Sequence, residues 1–183
     1  YSVSTGAMLI DVKKSPYSVT VSDSTGKVVA RIGGEERGNW HQFDALPTGV
    51  IIGSDGVQAA EIINLAHNER ILGMGERFSG INRRGETISN HVDDCDGNTG
   101  PLTYKPIPFL LSSRGYGVFF NTACSFKSWI GSQSHTAASF VIDEAVLDYY
   151  FFFGPRLADV ITQYTALTGR PPLTPRWSFG FWI

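Results

Sequence analysis

The chain has 183 residues, with 15 Lys and Arg set against 17 Asp and Glu, for a net charge of −2. Its 42% hydrophobic and 17% charged residues match a globular protein with chain enough for one core, or one and a fraction. The balance leaves no basic footprint for nucleic acid, and no apolar run approaches the roughly 18 residues of a membrane helix.

The two cysteines, Cys95 and Cys124, sit in no paired metal spacing, and Asn-x-Ser/Thr acceptor sites are absent. Two thiols in a chain of this size fit a reducing compartment better than a disulfide scaffold, so a cytoplasmic location is expected.

The chain reads as β-rich from its first third. Tyr17, Val19 and Val21 alternate with polar positions, and Asp23-Ser-Thr-Gly-Lys27 supplies a turn before Val28, Ala30 and Ile32. That pattern predicts a hairpin. An apolar pattern resumes from Phe43 to Ile52, and Ser54-Asp-Gly56 marks another turn. The run Ile107 to Leu111, the tight Ser112-Ser-Arg-Gly115 and Tyr116-Gly-Val-Phe-Phe120 predict a second hairpin. Phe140 to Ile142 and Leu147 to Phe153 complete the expected strands. Short strands with turn-punctuated spacing predict an antiparallel sandwich.

One helix interrupts the pattern. Pro155 stands at the expected first helical position, and Leu157, Val160, Ile161, Tyr164 and Leu167 recur at helical spacing before Gly169. The element should span about four turns with one apolar face and join two domains. A proline-punctuated linker then runs into Trp177-Ser-Phe-Gly-Phe-Trp-Ile183, which reads as the opening of a buried strand. Its partners are expected outside these residues, which makes the chain a piece of a larger protein. The expected division is a sandwich over 1–154, a linking helix and linker over 155–175, and a strand over 176–183.

Two motifs imitate chemistry that the spacing does not support. Gly73-Met-Gly-Glu-Arg-Phe78 begins like a dinucleotide fingerprint, but Phe78 takes the third glycine's place and Asn82-Arg-Arg-Gly85 breaks any following helix. A tight turn with close backbone approach is the better reading. Asp93-Asp-Cys-Asp-Gly-Asn98 resembles a calcium loop, yet the frame that places Gly97 sixth puts Val92 first and Thr103 twelfth, where carboxylates are required. No metal or cofactor is expected. The same acidic segment, between Asn90 and Thr103, admits two readings: a solvated loop with local turns, which the pattern favours, or carboxylates that accept sugar hydroxyls.

Six segments carry a family resemblance. Gly73 to Phe78, Asn82 to Gly85, Ile107-Pro-Phe109, Ser112 to Asn121, Tyr149 to Pro155 and Tyr164 to Pro172 occur in this order. Together they resemble the N-terminal region of glycoside hydrolase family 31, the α-glucosidase and α-xylosidase family, from about Asn64 onward; before that only the strand rhythm fits. The resemblance implies a galactose-mutarotase-like β-sandwich, with Pro175 to Trp182 as the first strand of a (β/α)₈ barrel. It implies a retaining hydrolase of terminal α-linked xylose or glucose, whose nucleophile and acid/base aspartates lie on later barrel strands. Neither is in this chain, so no catalytic residue is assigned and the chain alone should be inactive. The family's Trp-Asn-x-Asp-like loop matches here at Asp94, the one substrate-binding residue implied, although His91 and Val92 stand where the Trp and Asn would be. The implied partners are an α-glycoside and the rest of the barrel, in a full enzyme that could form a homo-oligomer. A stand-alone carbohydrate-binding or mutarotase-like module is the alternative.

Other conspicuous residues read as structural. Arg77 and Glu76 should make local ion pairs or backbone bonds, and Arg114 should brace a hairpin turn. Trp40, Trp129 and the Tyr149/Tyr150 pair could stack on sugar rings, but aromatics in a sandwich are usually core. His41, His67, His91 and His135 show no metal-ligand spacing.

Overall fold

The computed structural model describes residues 1–34, 48–54, 56–93 and 102–181. Asp94, Cys95, Asp96, Trp40, His41 and Trp182 lie outside the described residues.

Thirteen strands are described: β1 (Ser2–Ser4), β2 (Met8–Lys14), β3 (Tyr17–Asp23), β4 (Val28–Ile32), β5 (Gly49–Gly53), β6 (Gly56–Asn64), β7 (Ile71–Gly73), β8 (Glu86–Asn90), β9 (Phe109–Ser112), β10 (Tyr116–Phe120), β11 (Phe126–Ile130), β12 (Ala137–Ile142) and β13 (Tyr149–Phe153). They form two sheets. The larger runs β1-β2-β3-β4-β6-β12-β11-β8, with β5 also paired to β6, and the smaller runs β13-β10-β9-β7. Every pairing is antiparallel. The predicted hairpins are present as β3–β4 and β9–β10, with Tyr116 opposite Ser112 across the second turn.

Strand alternation sends β10 in two directions. Tyr116, Val118 and Phe120 enter the core between the sheets, where they meet Ile63, Ile88, Ile130 and Phe140. Phe119 faces the other way, toward a second cluster of Phe109, Phe152 and Val160. That outer face is covered by α1 (Leu157–Thr168), so the domain has three layers: sheet, sheet and helix. Tyr164 stacks on Phe109 with centroids 3.9 Å apart. Gly117 lies beneath the helix, and a Cβ there would come within 2.7 Å of Val160 Cγ1. The helix is therefore part of the sandwich's packing as well as the element leading to the last residues.

Helix α1 begins two residues after Pro155. Arg156 is the N-cap, its amide and guanidinium both bonding Asp159, and Gly169 ends the helix with φ 100°. At 12 residues it makes a little over three turns. Beyond it, Arg176–Phe179 forms a 3₁₀ turn where the sequence predicts a strand. Trp177, Phe179 and Phe181 are exposed. A strand exists through ladder hydrogen bonds; this segment pairs with no described strand and bonds locally, i→i+3.

The core also holds a carboxylate. Glu61 on β6 is 2% exposed and accepts from Thr48 Oγ1, from the Ile62 amide at 2.9 Å and from Tyr149 Oη at 3.3 Å. Among the described residues no cation pairs with it, and burial pushes its pKa up despite these three donors. A raised folded-state pKa contributes stability that is complete in acid and is lost as pH rises through the folded value. Glu61→Gln keeps the shape and removes the charge. It should unfold at higher urea than wild type at neutral pH, with the gap closing below the ordinary carboxylate range. A gap that does not change with pH would show that Glu61 is not the titrating group.

Candidate functional site

The glycine-rich turn after β7 is a structural clasp. Gly73 and Gly75 have φ of 94° and 90°, and Met74 between them has φ 66°. The Met74 amide donates to Phe109 O at 2.9 Å, and the Glu76 amide donates to Lys105 O at 3.1 Å. A Cβ on Gly73 would lie 2.5 Å from Phe109 O, so the chain passes where only glycine fits.

Arg77, leaving this turn, ties it to the end of β8. Its Nε donates to Met74 O at 2.8 Å, and its Nη2 donates to Ser89 O at 2.8 Å and Asn90 Oδ1 at 3.3 Å. Glu76 pairs with Lys105 at 3.1 Å. The local roles expected for both residues are the ones observed. Arg83 and Arg84 of the Asn82-Arg-Arg-Gly85 motif likewise serve backbone carbonyls, Arg83 on Gly73 and Gly80, Arg84 on Ala66, Glu69 and His135.

This bracing fixes one end of the sandwich. Asn90, last in β8, is buried, pairs with Phe126 in register and donates from Nδ2 to Ser128 Oγ at 3.1 Å. Three residues on, the Asp93 amide donates to Thr103 O at 3.0 Å. Thr103 Oγ1 in turn donates to Glu76 O. Asp93 and Thr103 therefore close a stem anchored on the clasp.

Beside the stem lies a cavity of about 370 Å³, between the ends of β8 and β11, the approach to β9 and the β10–β11 connection. Pro106, Pro108 and Phe126 supply apolar wall, while His91, Thr122 and Ser125 supply polar groups. His91 Nδ1 lies 2.8 Å from Ser125 Oγ, and its Nε2 lies 3.8 Å from Asp93 Oδ1. Among the described residues no Lys, Arg, Asp or Glu lines the cavity. Hydroxyl, imidazole and amide groups facing an apolar wall suit a small polar ligand. A second cavity of about 310 Å³, lined by Arg31, Arg114 and Asn64, has the opposite character. Arg114 there donates to Val28 O, the bracing role expected of it.

The remaining candidates are placed as follows. Trp129 lies half-buried on β11 with the Lys127 ammonium 5.3 Å from its ring centroid. Tyr149 bonds Glu61, and Tyr150, exposed, stacks against Phe119 and Phe152. Among the described residues no three His, Cys, Asp or Glu side chains gather as a metal site would require. The pairing of His91 with Ser125 was missed from sequence because 34 residues separate the two.

A sequence profile of the glycosyl hydrolase 31 N-terminal galactose mutarotase-like domain matches residues 1–130. The chain belongs to glycoside hydrolase family 31. The match begins at the first residue and so includes the stretch before Asn64, where the resemblance rested on strand rhythm. The α-xylosidase XylQ of Lactiplantibacillus pentosus is 38% identical over 124 residues, 67% of this chain and 16% of that protein. An isomaltosyltransferase of Sporosarcina globispora is 34% identical over 121 residues, 63% of this chain and 11% of that one. Among solved structures, the glucose-bound family 31 dextranase of Flavobacterium johnsoniae superposes with a TM-score of 0.78 at 31% identity, covering 99% of this chain and 21% of its own. The chain thus spans less than a quarter of the length of these relatives.

Proposed function

We propose that this chain is the N-terminal sandwich of a retaining α-glycosidase that removes terminal α-linked xylose or glucose. In this reading it supports a catalytic barrel formed by further chain, whose first strand includes residues 176–183, and it lends the segment bearing Asp94 to the sugar site. The likeness to XylQ carries the choice of substrate. The stem that holds Asp93 against Thr103 beside a cavity with hydroxyl and imidazole groups supports a sugar-facing role for this end. A cytoplasmic location belongs to the same reading, supported by the two cysteines and the lack of Asn-x-Ser/Thr sites; no helix is long and apolar enough to cross a membrane among the described residues.

The test is hydrolysis of aryl α-xylosides and α-glucosides by the complete enzyme. An ionised carboxylate accepting sugar hydroxyls is worth about 1.5–3 kcal/mol, or one to two decades. Asp94→Ala should lower kcat/KM by that factor without changing the unfolding midpoint, and Asp93→Ala or Asp96→Ala should matter less. Unchanged kcat/KM in Asp94→Ala would remove the residue from the site. The 183-residue chain alone should release no aryl leaving group above a buffer control, because in this reading the pair of carboxylates that flank the glycosidic bond lies on the barrel. Turnover by the purified chain would refute this.

A further inference from the structure

We draw no further inference here: the strongest candidate, the apolar margin between α1 and β13 where Ile161, Leu167 and Tyr150 are exposed, carries none because nothing in the structure shows what covers it.

Discussion

Glu69→Ala is expected to cost about 3–5 kcal/mol, a large part of the roughly 5–15 kcal/mol that holds a domain folded. Glu69 is 2% exposed and stands where the segment after β6 crosses to the small sheet. Its Oε1 accepts from Ser112 Oγ at 2.5 Å and Tyr116 Oη at 2.6 Å, and its Oε2 accepts from the Ala66 amide at 2.7 Å. Ser112 and Tyr116 are themselves wholly buried, so truncation leaves two hydroxyls without this acceptor and with no access to water. Burial, followed by the Glu69 carboxylate, holds the Tyr116 phenol well above its ordinary pKa, so the hydroxyl stays a donor at any working pH. Glu69→Gln should cost less, because it keeps one oxygen for the two hydroxyls and sets an amide donor against the Ala66 amide. The urea midpoints should therefore fall in the order wild type, Gln, Ala. A drop below about 1 kcal/mol in the Ala variant would show that the cluster rearranges around the gap.

The second large effect is expected at Gly75. With φ 90°, an added Cβ would lie 2.2 Å from Lys105 O, 2.7 Å from Ile107 N and 2.9 Å from Pro106 Cα. All three neighbours are backbone and cannot swing aside. A strained dihedral of about 1–3 kcal/mol and a similar overpacking term predict a loss of about 3–5 kcal/mol for Gly75→Ala. Gly26 is the control: its φ is 84°, but nothing lies within 4 Å of its Cβ position. Gly26→Ala should thus cost only the left-handed conformation itself, about 1–2 kcal/mol. Thermal midpoints of the two variants would separate strain from collision, and equal losses would contradict the close approach.

What could be read in advance was whatever the chain encodes locally. The β3–β4 and β9–β10 hairpins announce themselves through alternation and turn residues, and α1 through apolar spacing closed by a glycine. Strands β8 and β11 do not. Ile88 is the sole apolar residue of β8, and Ser128 occupies a fully buried position in β11, where it accepts from Asn90. Polar residues that satisfy one another inside a sandwich erase the periodicity on which strand recognition depends. Glu61 and Glu69 escaped notice for a related reason, since their hydroxyl partners among Tyr149, Ser112 and Tyr116 are 88, 43 and 47 residues away. The 3₁₀ turn at Arg176–Phe179 is the converse case, in which strand-like composition lacks a neighbour to pair with. As for the site, the expectation at Asp94 came only from family resemblance, and the cavity at the end of β8 is legible only through the fold.

The Asp93–Thr103 hydrogen bond has an evolutionary corollary. It turns the nine residues between those positions into an insertion hung from a fixed base. Closure entropy grows only with the logarithm of length, so doubling such an insertion costs about 0.6 kcal/mol. Arg77, Thr103 and the glycine clasp brace the base of this end. A lineage could lengthen, shorten or rewrite the sequence between Asp93 and Thr103 and keep the stem beneath it.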